Sequence, residues 1–100
     1  MSVYVDNARN AYGRMLMSHM MADTTAELLD MADFIGVDRR WLQHAGTDRE
    51  HFDVCQAKRA AAGRAGAVFV TSRELVMLMR RKRARLTGGG GAAKGETDAD

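Results

Sequence analysis

The chain has a single cysteine, a single tryptophan, no proline and no long apolar run. Cys55 alone excludes an intrachain disulfide, which suits a reducing compartment. No stretch approaches the roughly 20 apolar residues that a membrane span needs. The opening residues, MSVYVDNARN, offer neither a basic n-region nor an apolar h-region, so no signal peptide is expected and the cytoplasm is the expected compartment. The motifs HExxH, GxxxxGKS/T, a CxxC pair and GxSxG are also missing, so no known catalytic signature announces a reaction.

What remains is a globular composition, 46% hydrophobic and 28% charged over 100 residues, enough for one domain. A chain this short buries only about 60% of its unfolded surface, so it is marginal alone and a homodimer is an ordinary remedy. The charge is uneven. Residues 1–79 carry nine Lys/Arg against ten Asp/Glu, whereas residues 80–87 carry five positive charges and no negative one. The charge layout supports a local basic patch and gives no support to a broadly basic nucleic-acid-binding face.

Periodicity and capping signals give the element order. Residues 2–5 are β-branched and aromatic and predict a short first strand ending at Asp6. Residues 7–14 read as a loop, and residues 15–22 as a short helix or an apolar linker. Thr24 with Glu27 forms a capping box, Leu28, Met31, Ala32 and Ile35 follow at helical spacing, and Gly36 stands where a helix ends. A helix over 24–35 follows. Trp41 to His44 predict a second strand, and Asp53 with Gln56 repeats the capping spacing ahead of a helix over 54–65. Residues 67–70 predict a third strand, and Thr71 with Glu74 starts a last helix that enters the basic segment. The order β-α-β-α-β-α predicts a small α/β domain over 1–86 with a short, three-stranded, mostly parallel sheet. Residues 87–100, rich in glycine and without a large apolar side chain beyond the start, predict a disordered tail.

A parallel α/β sheet binds ligands at the carboxyl ends of its strands. That edge nominates Asp6 and Asn7 after the first strand, His44, His51 and Asp53 after the second, and Thr71 and Ser72 after the third; His19 and Asp23 precede the first helix and are placed with them. His with Asp suits Zn, Mn or Fe, carboxylates alone suit Mg, and His titrates near neutral pH. Asp6, directly after the first strand, has no capping role and is the strongest candidate; several of the others have a plainer role. Asp53 and Thr71 are explained as helix caps, His44 as a strand end beside Trp41, and Cys55 as a small buried filler. Met15, Met17, Met20 and Met21 read first as adaptable core filler and second as a partner surface. The segment Arg80, Arg81, Lys82, Arg83, Arg85 suits either phosphate contacts or a solvated helix end.

Val3-Tyr4-Val5-Asp6, Met17-x-His19-Met20-x-Ala22-Asp23, Glu27-Leu28 and Ile35-Gly36 together resemble the family DUF4031. Arg40-Trp41-x-Gln43, His51-Phe52-Asp53, Lys58-Arg59 and Gly66-Ala67-Val68 extend the resemblance over roughly residues 2–83. It implies a short domain frequent in actinobacteria and their bacteriophages, with no established activity to carry over. Its landmarks here are Asp6, His19, Asp23, Trp41, His51, Asp53 and Lys58; Phe34 departs from the expected polar residue.

Three functions compete. In the first, a metal-dependent phosphoesterase or nuclease uses Asp6, His51 and Asp53 to hold a divalent metal or act as base, with His19 and Asp23 assisting and Lys58 or Arg59 neutralising a nucleotide or nucleic-acid phosphate. In the second, an accessory protein binds nucleic acid through Arg80–Arg85. In the third, a phage or host interaction module uses its Met-rich or Trp41 surface.

Overall fold

Residues 15–22, left open between helix and linker, form the longest strand and organise the rest. A computed structural model describes residues 2–91, with side chains to residue 87. The elements in chain order are β1 (Val3–Val5), β2 (Asn10–Tyr12), β3 (Met15–Ala22), α1 (Thr25–Ile35), a 3-10 turn (Arg39–Trp41), β4 (Phe52–Cys55), α2 (Gln56–Arg64), β5 (Val68–Phe69) and α3 (Ser72–Gly91). The α/β class holds. The sheet, however, has five strands and is mixed: β3 runs antiparallel to β1, β2 and β4, and β5 alone pairs in parallel, with β1.

β3 is long because three strands use it. Met17 pairs with both Asn10 and Cys55, and Met20 with both Val5 and Phe52. β1 and β2 therefore lie along one edge of β3 and β4 along the other. The β2–β3 hairpin closes through the two residues Gly13 and Arg14, with Gly13 at φ 59. A two-residue turn with a positive φ at its first position matches strand twist and favours glycine there.

Strand alternation then divides the sheet into two faces. Val3, Val5, Met20, Ala22, Phe52 and Val54 point one way and are buried with Leu28, Ala32 and Ile35 of α1 and Ala62 of α2. Tyr4, Met17, His19 and Asp53 occupy the alternate positions, on the opposite face.

The capping signals mostly act as read. Thr24 accepts from the Glu27 amide and Gly36 takes the left-handed conformation at φ 83. Thr71 accepts from the Glu74 amide while Glu74 accepts from the Thr71 amide. The Asp53–Gln56 pattern does not act: β4 continues through Cys55, α2 starts only at Gln56, and Asp53 is a strand residue. The predicted second strand is also replaced. Asp38 caps a 3-10 turn through the Arg40 amide, leaving only an isolated bridge from Gln43 to His51. Arg39 fixes that turn to α1 by a forked contact with Asp33, and this guanidinium holds the Asp33 carboxyl below the usual carboxylate range. The predicted tail starts inside α3, which extends to Gly91; residues 92–100 lie outside the described residues. Among the described residues, no helix is long and apolar enough to cross a membrane.

α3 is tied down by a charge inside the protein. Lys82, 4% exposed, donates to the Ala22 carbonyl and to Glu50, which is 0% exposed. Glu50 also accepts from the Thr25 hydroxyl and the Gly46 amide, so it holds the loop that leads into His51. Removing one partner of a buried pair leaves the other charge uncompensated. Lys82→Met should lower the unfolding free energy by about 3–5 kcal/mol in urea titration, and adding Glu50→Gln should recover part of that loss. A change below about 1 kcal/mol would show that the pair does not hold α3.

Candidate metal centre

Register brings the site together. His19 faces Asp53 directly across the β3–β4 ladder. One residue past the last β1–β3 pair, the Asp6 amide donates to the His19 carbonyl at 3.0 Å. Asp6, His19 and Asp53 thus form one row across three strands. His51 lies two residues before Asp53 and shares its face by strand alternation.

The row is not equivalent along its length. Asp6 is 1% exposed. Its Oδ1 accepts from the His19 amide at 2.8 Å and the Ala8 amide at 3.2 Å. Its Oδ2 lies 2.8 Å from His19 Nδ1. The Asp6 carboxylate takes the place of its own carbonyl in the ladder, and that carbonyl instead accepts from Arg59 Nε at 2.7 Å. A carboxylate accepts, so Nδ1 of His19 carries a proton, and in the neutral ring Nε2 presents a lone pair. The same logic fixes the second ring: His51 Nδ1 lies 2.6 Å from the Arg49 carbonyl, another acceptor. Asp53 is oriented by Gln43, whose Nε2 donates to Oδ2 at 2.9 Å. Oδ1 is left facing the two imidazoles.

His19 Nε2 lies 3.8 Å and His51 Nε2 3.6 Å from Asp53 Oδ1, and the three residues each bring one donor atom within 4.8 Å of the others. No protein donor bridges these three acceptors among the described residues. Donors bound to one ion at about 2.0–2.2 Å sit roughly 3.0–3.4 Å apart, so the cluster needs only small side-chain adjustments to close on a metal. Two neutral imidazoles and one carboxylate suit Zn²⁺, Mn²⁺ or Fe²⁺ better than Mg²⁺. Hydrogen-bond acceptors behind metal-bound histidines are a recurrent arrangement that fixes the tautomer and raises ligand basicity.

The other sequence candidates have separate duties. Asp6 stands behind His19 and is not part of the donor cluster. Asp23 accepts from the Ser2 amide at 2.8 Å and from the Tyr4 hydroxyl, securing the start of β1. Lys58 donates to the Ile35 carbonyl at 2.8 Å and so caps the C-terminal end of α1. Arg59, bonded to Asp6, stacks on Phe69 with its guanidinium 4.4 Å from the ring centre. In the basic segment Lys82 points inward and Arg85 donates to the Asp23 carbonyl, leaving Arg80, Arg81 and Arg83 as its exposed cations without those contacts. His44 sits at φ 54, the single positive φ of a non-glycine among the described residues, and stacks on His51 at 5.7 Å. The contribution of Gln43 had no local signal, because its partner lies ten residues away across a loop.

A small α/β protein with a two-histidine, one-carboxylate cluster is the class that fold and site define. Residues 3–82 match the family model described as "Protein of unknown function (DUF4031)", and the chain belongs to that family. No curated protein and no solved structure matches it.

Calorimetric titration with Mn²⁺ or Zn²⁺ separates these duties. His19→Ala and His51→Ala should abolish binding. Asp6→Asn should weaken it about 10–100-fold, as expected for a group acting through a ligand. Asp23→Asn should leave it unchanged. Equal losses in the Asp6 and Asp23 variants would instead indicate a general effect on folding.

Proposed function

We propose that the chain is a metal-dependent hydrolase of phosphate esters, working at His19, His51 and Asp53. One observation carries this reading: three lone pairs converge, and each ligand is held from behind by its own partner. Three protein donors leave positions open for water and substrate, as in catalytic rather than structural sites. A divalent ion held there supplies Lewis acidity and a water of lowered pKa. His19 and His51 keep their lone pairs on the cluster because Asp6 and the Arg49 carbonyl hold their other ring protons. The charge of a bound ion would be offset by the ligating Asp53 and by the Asp6 carboxylate behind His19, so the attraction for an anionic group lies at the ion's open positions and not in a net charge of the site. Arg40, exposed and close to the site's Asp53 side, favours the same sign of ligand.

Hydrolysis of p-nitrophenyl phosphate and bis(p-nitrophenyl) phosphate tests the reading. Activity should vanish with EDTA and return with Mn²⁺ or Zn²⁺. His51→Ala should lower kcat/KM by about 100-fold or more, and Asp23→Asn should change it little. Hydrolysis unaffected by EDTA, or equal in the His51 variant and the parent, would contradict it, as would a metal-loaded protein inert on both esters.

A further inference from the structure

The face of β3 that carries His19 continues past the cluster to Met17 and Met15, each two residues on. At about 3.3 Å per residue, this line runs roughly 13 Å from His19 to the hairpin end. Beside it lies a groove of about 610 Å³ lined by Tyr12, Met15, Met17, Trp41 and Leu42, with Asn10, Arg40, Gln43 and Asp53 supplying the polar atoms. Asp53 belongs to both places: it is a donor of the cluster and part of the groove wall. A molecule whose reacting group sits at the cluster therefore has its remaining half directed into the groove.

We propose that this half is a nucleobase, so that the substrate is a nucleotide phosphoester; the proposal rests on the metal-hydrolase reading and specifies its substrate class. Tyr12 is 70% and Trp41 60% exposed, on two separate elements that meet at the groove. Neither ring is needed for the core, and each offers a flat face for base stacking, which is strong and tolerant of base identity. The Arg40 guanidinium lies 4.9 Å from the Trp41 ring centre, joining a cation to the stacking surface. The Asn10 amide adds a group of the kind that reads base edges, while the Gln43 amide nitrogen is engaged with Asp53. An acyl chain would make no use of Asn10 or of the Arg40 guanidinium, which also lies 3.6 Å from the Asp38 carboxylate, whereas a base on a phosphorylated sugar uses both. The hairpin register and the Asp33–Arg39 contact hold both walls, so the groove exists before the ligand arrives.

The full chain, with and without Mn²⁺, is titrated with the four nucleoside 5′-monophosphates, their nucleosides and inorganic phosphate. Trp41, the only tryptophan, reports groove occupancy by fluorescence, and calorimetry gives affinities for the parent, Trp41→Ala and His51→Ala. Nucleosides should quench Trp41 even without metal. With Mn²⁺, at least one nucleotide should bind about tenfold or more tighter than either its nucleoside or phosphate. Trp41→Ala should weaken that nucleotide to a similar extent while leaving Mn²⁺ and phosphate binding unchanged. His51→Ala should remove only the Mn²⁺-dependent gain. Nucleotides that bind no tighter than phosphate, or equally to Trp41→Ala, would overturn the nucleobase assignment even if the metal binds. Absence of Mn²⁺ binding with Trp41 still quenched by nucleosides would instead overturn the hydrolase reading and support the groove.

Discussion

The buried Asp6 carboxylate is the constraint on which the site depends. A charge removed from water is costly unless its oxygens are hydrogen-bonded. Asp6 meets that demand with two backbone amides and the His19 ring. Doing so ends β1, because the side chain replaces the main-chain carbonyl in the ladder. It also fixes the His19 tautomer, so one set of bonds serves the fold and the chemistry together. The displaced carbonyl is taken up by Arg59, which ties α2 to the same point. A residue that looks like a ligand in the sequence is thereby a support for a candidate ligand, His19.

The two faces of the sheet divide the labour. Residues 20, 22, 52 and 54 bury apolar side chains against α1 and α2, while residues 17, 19, 51 and 53 lie on the opposite, less buried face. Because the strand period is two, a one-residue slip of register would exchange the two faces. Against such a slip the cluster is protected by the core: moving His19 one residue away from Asp53 would also expose Met20 and Phe52. Glu50 and Lys82 add a second lock, since their pair fixes the loop that delivers His51.

Much of this was legible in local sequence, and the exceptions share a cause. The capping boxes at Thr24 and Thr71 and the glycine at position 36 act within one turn of helix, so the chain nearby suffices to read them. Residues 15–22 could not be read that way. Methionine occupies both faces of the strand, and it has no strong preference for strand over helix. The pairing that decides the matter joins residues 17–20 to residues 52–55. The same distant pairing overrides the helix cap suggested by Asp53 and Gln56, because β4 keeps its ladder as far as Cys55. His51 and Asp53 were recognisable from their types and proximity. The exchange of duties between Asp6 and His19 was not, since it depends on burial and on a hydrogen bond between strands. Lys58 and Arg59 look like phosphate ligands for a similar reason: the carbonyls they serve, on Ile35 and Asp6, are far away in sequence.

The most direct measurement is diffraction from Zn²⁺-soaked crystals of the full chain, recorded at the zinc absorption edge. One anomalous peak should lie about 2.0–2.2 Å from His19 Nε2, His51 Nε2 and an Asp53 carboxylate oxygen, with Asp6 outside the coordination shell behind His19. A peak held by Asp6 in place of His19, or no peak at these three residues, would contradict it.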